Sequence, residues 1–355
     1  MKFLSVCSGI EAASVAWHDL GFECVGVSEI EKFTNEVLKY HYPSVPNLGD
    51  MTNFKEWNDD LAPDLLVGGT PCQSFSIAGL RKGMDDPRGN LALTYVAIAE
   101  KYKPRWFVWE NVPGVLSSNS GKDFASFLTA MAEIGYGIAY RVLDAQFFGV
   151  PQRRRRVFVV GYLGDWRPAT AVLFEPTSVF GHTPKGRKAR KGITASAETN
   201  PRKAVPYDLY QITAPINRQN REVGDPCHTL AKDNAAHASI VEIKESNVYE
   251  NHPADSRVKQ MGDISHTVSA RWGTGGGNVP FVRQTENTMR VRRLTPVECE
   301  RLQGFPDNWT QIPYGKRPKE QCPDGHRYKA LGNSMAVPVM RWIGRRIALF
   351  ESLKA

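Results

Sequence analysis

Short apolar runs alternate with helix-like stretches through the first half of the chain. Lys2-Phe-Leu-Ser-Val-Cys7 reads as a strand and Ser8-Gly9 as a tight turn, followed by a helix carrying Ala12, Ala13, Val15, Ala16 and Trp17. Phe22 to Ser28 reads as a second strand that ends on Glu29. Asp64-Leu-Leu-Val67 and Trp106-Phe-Val-Trp109 read as further strands, with an apolar helix from about Leu91 to Glu100 between them. This alternation predicts an α/β fold with a doubly wound, mostly parallel sheet over residues 1–163. In open sheets of this kind ligands bind beyond the carboxyl ends of the strands, so Gly9, Glu29, Cys72 and Glu110 are expected to meet in one crevice.

After Leu163 the pattern changes. Gly, Pro, Asn, Thr and Arg become frequent, helical periodicity fades, and strand-like pieces such as Ala238 to Ile243 lie among turns. Residues 164–290 therefore read as a smaller, irregular, β-rich domain. Within it, Gly224-Asp-Pro-Cys-His-Thr-Leu230 and Gly262-Asp-Ile-Ser-His-Thr-Val268 form a weak repeat, a duplicated hairpin or a coincidence, since two copies cannot build a solenoid. Order returns over 291–355. Thr295-Pro-Val-Glu298 predicts a capped helix to about Leu302, and a last helix spans about Val337 to Leu353. Both are expected to pack back on the first domain.

Composition narrows the class. With 355 residues, 41% apolar and 10% aromatic, the chain can bury a substantial core, which excludes global disorder. No apolar run approaches the ~20 residues of a membrane span, and the first residues lack a signal-peptide pattern. A cytoplasmic, soluble protein is expected. Six scattered cysteines with no CxxC pair argue against a disulfide framework or a zinc site, so no metal is expected. The net charge of +8 is local: Pro151 to Val205 holds 12 Lys and Arg against 3 Asp and Glu. Arg153-Arg154-Arg155-Arg156 and Lys185 to Lys191 lie in that stretch, and they suit either phosphate binding or a solvated loop.

Two loops carry the chemistry. In Gly68-Gly-Thr-Pro-Cys-Gln-Ser-Phe-Ser76 an apolar strand delivers Cys72 into a loop of poor core formers. A lone cysteine is usually a buried structural thiol, but this context suits a nucleophile. Trp109-Glu-Asn-Val-Pro113 places Glu110 and Asn111 just past another strand. A turn carboxylate is the bland reading. Beside Cys72 it becomes a candidate acid that engages a ring nitrogen while the thiolate adds to the ring.

The ordered series of motifs resembles the cytosine-C5 DNA methyltransferase family of bacteria and phages. It comprises the opening strand and turn, Gly49-Asp50, Pro71-Cys72-Gln73, Asp86-Pro-Arg-Gly-Asn90, Glu110-Asn111-Val112, Gln152-x-Arg154-x-Arg156, Arg301-Leu-Gln-Gly-Phe-Pro306 and Gly332-Asn333-Ser334. The likeness covers about 1–163 and 290–345. It implies a methyltransferase acting on double-stranded DNA with S-adenosylmethionine as cofactor, as a monomer with no obligatory protein partner, in a restriction-modification or phage-protection setting.

The resemblance also implies residue roles. Cys72 matches the nucleophile, Glu110 the group that engages N3 and the exocyclic amine, and Asn111 the residue that positions the loop. Arg154 and Arg156 match the arginines that hold the base O2, Glu110 and nearby phosphate. Gly9, Ile10, Glu29, Ile30, Asp50, Pro71, Asn333 and Ser334 correspond to the cofactor site, with Glu29 on the ribose hydroxyls and Asp50 near the adenine amine. Cys7-Ser-Gly-Ile-Glu-Ala12 departs from the family, which commonly has an aromatic and paired glycines there.

The resemblance further implies DNA contacts from Gln73, Ser76 and Arg88, in a stretch similar to the family's loop that closes over an extruded base, with Gly79, Gly83 and Gly89 as hinges, and from Gln152 and Thr267. Arg271 in the Gly-rich stretch Ser269 to Gly277 is placed to read guanine. Two other functions fit less of the sequence. A tRNA cytosine methyltransferase shares the chemistry, and a DNA-binding protein without catalysis would not need Cys72 with Glu110.

Overall fold

The computed structural model describes residues 1–71, 90–174, 248–251, 258–262, 265–268, 281–286 and 288–354. Its main sheet is built from β1 (Lys2–Val6), β2 (Glu23–Ser28), β3 (Leu65–Gly68), β4 (Trp106–Asn111), β5 (Tyr136–Asp144) and β7 (Arg155–Leu163), in the order β2-β1-β3-β4-β7-β5. Strands β1 to β4 are parallel, and β7 runs antiparallel to both β4 and β5. Gln152–Arg153 forms a short β6 just before β7. The fold is the expected doubly wound α/β type, with an antiparallel return at one edge.

The apolar runs are continuous because both faces of this sheet are covered. Strand period two then sorts neighbours into two cores. Phe3, Leu65, Val67, Trp106, Val108, Phe158 and Val160 enter one, while Leu4, Leu66, Phe107, Trp109, Val157 and Val159 enter the other. Gly161 leaves room for the ring of Phe107, since a Cβ there would lie 1.9 Å from its Cε1.

The helices follow the same division. α1 (Ala12–Trp17) and α2 (Lys32–His41) serve the first core, and α3 (Leu91–Tyr102) and α4 (Lys122–Glu133) the second. Asn90 caps α3 through its side chain, accepting from Ala92 N at 3.0 Å. α5 (Arg167–Leu173) packs on β5 and β7. Val172 and Leu173 lie in the first core, and Arg346 donates to the carbonyl of Phe174 at 2.7 Å, so contacts with the first core run past residue 163.

Four strands of the middle segment, β8 (Val248–Asn251), β9 (Val258–Gly262), β11 (Phe281–Glu286) and β12 (Thr288–Arg293), form an antiparallel sheet in the order β12-β11-β8-β9. β10 (Ser265–His266) instead pairs in parallel with β6, and Val268 is fully buried in the first core. The stretch 265–268 is thus paired with β6 and packed in the first core. Ala238 to Ile243 and the first repeat copy lie outside the described residues.

The last helices pack against the first elements of the chain. α6 (Pro296–Gln303) opens with the full capping box of Thr295 and Glu298. α7 (Asp324–Asn333) leads to α8 (Val337–Ser352), which lies along α1. Trp17 is fully buried there and donates Nε1 to the carbonyl of Met340 at 2.7 Å. Gly344 permits this approach, since a Cβ would stand 2.3 Å from the indole nitrogen.

Candidate active site

A cleft of about 680 Å³ opens at the carboxyl ends of β1, β2, β3 and β4. One wall comes from Gly9, Glu29, Asp50 and Pro71, and the floor from Glu110, Asn111, Arg154 and Arg156. His326, Lys329, Gly332 and Asn333 of α7 close the far side. The strand ends meet as open-sheet topology requires.

Gly9 and Glu29 make the first corner. Gly9 has φ +57°, and its N–H donates to Glu29 Oε2 at 2.8 Å. Glu29 Oε1 accepts from the amides of Ile30 at 2.9 Å and Glu31 at 2.8 Å. The carboxylate therefore bridges the turns after β1 and β2. Ile30 is 70% exposed at the edge of the cleft, whereas Ile10 is fully buried in the first core. The Ile10 side chain thus faces away from the cleft expected of it, because it fills the space behind the turn. Its carbonyl accepts from Trp309 Nε1 at 3.1 Å.

Asp50 follows Gly49, which has φ +72°. Its Oδ1 accepts from Thr52 N at 2.9 Å. Cys7 donates its thiol to Met51 Sδ at 3.4 Å, and burial together with the carboxylates of Glu29 and Asp50 pushes that thiol up to about 12. Burial likewise raises Cys24, Cys299 and Cys322, so all four described cysteines are neutral, poorly nucleophilic thiols.

The cleft suits a nucleoside-bearing cofactor such as S-adenosylmethionine. Gly9 has nothing within 4 Å of a notional Cβ, so its backbone is open to close approach. Two carboxylates, Glu29 and Asp50, suit hydroxyl and amine donors, and the exposed Ile30 offers an apolar surface. Among the described residues no group of His, Cys, Asp and Glu is arranged to hold a metal ion.

β4 delivers Glu110 and Asn111 to the floor. Glu110 is 8% exposed, and Arg156 Nε stands 3.1 Å from its Oε1. Burial raises the Glu110 carboxyl above its ordinary range, and the guanidiniums of Arg154 and Arg156 partly oppose that rise. Gly69 is kept small by this carboxylate, since a Cβ would sit 3.0 Å from Glu110 Oε2. Asn111 Nδ2 donates to the carbonyl of Thr70 at 3.0 Å, and Trp109 Nε1 donates to the Thr70 hydroxyl at 3.0 Å. β4 thus grips the residue before Pro71. Cys72, Gln73, Ser76, Arg88 and Arg271 lie outside the described residues, as does Lys185 to Lys191.

Other expected site residues form a buried polar knot. Arg154 is 3% exposed and donates to the carbonyls of Val268 at 3.2 Å, Gly332 at 3.2 Å and Ser334 at 2.6 Å. Gln152 is 0% exposed; its Nε2 donates to the Leu302 carbonyl at 2.8 Å and to Gln303 Oε1 at 3.1 Å, while its Oε1 accepts from Val268 N at 2.7 Å. A Gln152 so enclosed ties segments together and does not present its side chain to DNA. Ser334 is also buried, with its Oγ donating to the Met335 carbonyl, and exposed Asn333 is the member of that pair that lines the cleft. Thr267 donates to the Arg153 carbonyl at 2.8 Å.

Sequence reading missed His326 and Lys329. They stand seven and four residues before Asn333, which puts all three on one face of α7, a spacing that was available to find them. Lys329 Nζ pairs with Glu31 Oε1 at 2.8 Å, joining α7 to the cap of α2.

The family model described as C-5 cytosine-specific DNA methylase matches residues 1–349. A DNA N-6-adenine-methyltransferase of Escherichia phage P1 is 35% identical, over 97% of this chain and 60% of its own length, so the chain spans about three fifths of that protein. Type II methyltransferase M1.ScrFI of Lactococcus lactis subsp. cremoris is 29% identical over 98% of this chain and 77% of its own. Among solved structures, the S. pombe Dnmt2 methyltransferase superposes with a TM-score of 0.62 at 17% identity, covering 100% of both chains. A putative DNA modification methyltransferase from an E. coli prophage gives 0.59 at 18%, again over 100% of both. These two likenesses establish a Rossmann-like methyltransferase fold. With the family match running over almost all of its length, the chain belongs to the C-5 cytosine-specific DNA methylase family.

Proposed function

We propose that the protein methylates C5 of cytosine in double-stranded DNA, with S-adenosylmethionine as methyl donor and Cys72 as nucleophile. The observation that carries this reading is the buried Glu110, set beside Arg156 in the cleft, one residue before the asparagine that grips Thr70. That grip holds the Thr70 backbone, two residues before Cys72, at the same floor.

The chemistry follows from the base. C5 of cytosine is too weak a nucleophile until a thiolate adds at C6. Cys72 forms the S–C6 bond while Glu110, whose hold on a proton burial strengthens, supplies a hydrogen bond at N3 and accommodates the electron pair moving into the ring. Bound S-adenosylmethionine supplies an electrophilic methyl group to the activated C5. Water takes the C5 proton, and the electron pair left behind re-forms the C5–C6 double bond, expels the Cys72 thiolate and restores the aromatic ring. Arg156 holds the Glu110 carboxyl in place throughout, and Arg154 holds the Gly332 and Ser334 carbonyls. Glu29, Asp50 and Asn333 are the residues for the cofactor.

The target atoms are hidden in the stacked duplex, so the base must be extruded at a cost of a few kcal/mol. Gln73, Ser76 and Arg88 are assigned to the loop that covers it, and Arg271 to reading the recognition sequence. The Type II relatives and the phage P1 relative support a role in restriction-modification or phage DNA protection.

The P1 relative's name favours a second reading, methylation of adenine N6. That amine needs no thiolate, so Cys72 and Glu110 would lack a purpose. Digestion of duplex DNA after incubation with labelled S-adenosylmethionine, followed by mass spectrometry of the nucleosides, separates the two. The expected product is 5-methylcytosine, and its formation should vanish in Cys72→Ser. N6-methyladenine, or labelling of tRNA in preference to DNA, would overturn the assignment.

A further inference from the structure

We propose that Arg153 and Arg155 form a phosphate-binding pair on the rim of the active site, clasping the DNA backbone beside the target base. The inference rests on the DNA reading above. In the run Arg153 to Arg156 exposure alternates: Arg154 is buried and Arg156 half-buried against Glu110, while Arg153 and Arg155 are exposed. Extended backbone turns successive side chains to opposite sides, so the even pair faces inward and the odd pair outward.

Their position is fixed by pairing. β7 is antiparallel to β4 with Val157 opposite Asn111, so Arg155 lies two residues beyond that pairing, on the edge where Glu110 and Asn111 open the cleft. β6 pairs with β10, which sets Arg153 opposite His266, and its carbonyl accepts from Thr267. Arg153 therefore stands between the edge of the cleft and the stretch 265–268.

Neither guanidinium has an acid to neutralise it among the described residues. The natural partner of Arg155 is Asp144, its cross-strand neighbour on β5 and hence on the same face. That carboxylate is already engaged. It accepts from Arg154 N at 3.0 Å, from Gln146 N at 3.4 Å and from Gln146 Nε2 at 2.7 Å. Two exposed arginines without an acidic partner among the described residues, two positions apart on the rim of a DNA site, have the fork geometry and charge that phosphate oxygens take.

The test is the salt dependence of duplex binding for Arg153→Gln/Arg155→Gln, by fluorescence anisotropy across a NaCl series. Each lost phosphate contact removes about 0.9 from the slope of log K against log salt, so the double variant should lose about 1.8. Affinity should fall alike for specific and unrelated duplexes. Arg153→Lys/Arg155→Lys should keep the slope. S-adenosylhomocysteine affinity and the circular dichroism spectrum should match the wild type in both, which separates lost contact from misfolding. A wild type with a steep slope and a glutamine variant with the same slope would overturn the pair while leaving the DNA reading intact. A wild type that fails to bind duplex would overturn both.

Discussion

The Asn111 side chain donates to the Thr70 carbonyl at 3.0 Å, so the end of β4 holds the segment that follows β3. The same side chain accepts from Val112 N at 2.8 Å, which leaves it little freedom to move. Asn111→Ala should let the Pro71-Cys72 loop drift. Misplacement of a reacting group by about 1 Å costs roughly a hundredfold in rate, so kcat should fall by about that factor while S-adenosylhomocysteine binding changes far less. Steady-state kinetics with a calorimetric titration check this, and an unchanged kcat would remove Asn111 from the positioning role.

Glu110→Gln keeps the shape of the side chain and removes its proton. Loss of a positioned acid should lower kcat by about 10²- to 10⁴-fold. Because burial raises the Glu110 pKa, the wild type should hold the required proton to higher pH than an ordinary carboxyl and lose rate as pH rises through that raised value. The variant's residual rate should lack this alkaline decline. A decline of equal position in both proteins would assign it to another group.

Glu11 gives a pH dependence of stability. It is 1% exposed, caps α1 through Oε1 from Ser14 N at 3.0 Å, and leaves Oε2 without a partner. Burial pushes its carboxyl up from 4.5 to about 7. An acid whose folded pKa is raised binds its proton more tightly in the native state. Folding is then favoured at low pH and loses stability as pH rises from about 4.5 to about 7, by an amount of order 3 kcal/mol at most. Glu11→Gln keeps the cap acceptor without the charge. Thermal melts between pH 5 and pH 8 should show a smaller loss in the variant; parallel melting curves would refute the assignment.

Gln303 closes the buried knot. It accepts from Gln152, donates to the Leu331 carbonyl, and is 0% exposed. Gln303→Leu would remove one hydrogen bond from the Gln152 amide nitrogen, which keeps the Leu302 carbonyl, and one from the Leu331 carbonyl, which keeps Ser334 N, at about 0.5–1.5 kcal/mol for each lost bond. Urea unfolding should show a lower midpoint at an unchanged slope, and S-adenosylhomocysteine should bind more weakly because Gly332 and Asn333 lose their anchor. Wild-type stability would mean that the knot relaxes around the change.

The elements were legible because their signals are local. The apolar runs of the first half, the Ser8-Gly9 turn and the Thr295-Glu298 box each involve residues a few positions apart, and all appear in the structure. The convergence of Gly9, Glu29 and Glu110 was legible too, because open-sheet topology leaves strand ends only one edge on which to meet. The helix at Arg167–Leu173 escaped notice because it is short and its anchor, Arg346, is far along the chain.

The sequence by itself determined the α/β pattern, the order of the motifs and the residue types at the strand ends, since each depends on near neighbours. Only the tertiary structure decided which way the motif side chains face. Gln152 and Arg154 look like surface contacts in a basic run, yet they are buried because their partners, Gln303, Val268 and Ser334, arrive from 114 to 180 residues away. A polar side chain goes inside only when such distant groups satisfy its hydrogen bonds, and no local pattern records whether they will come.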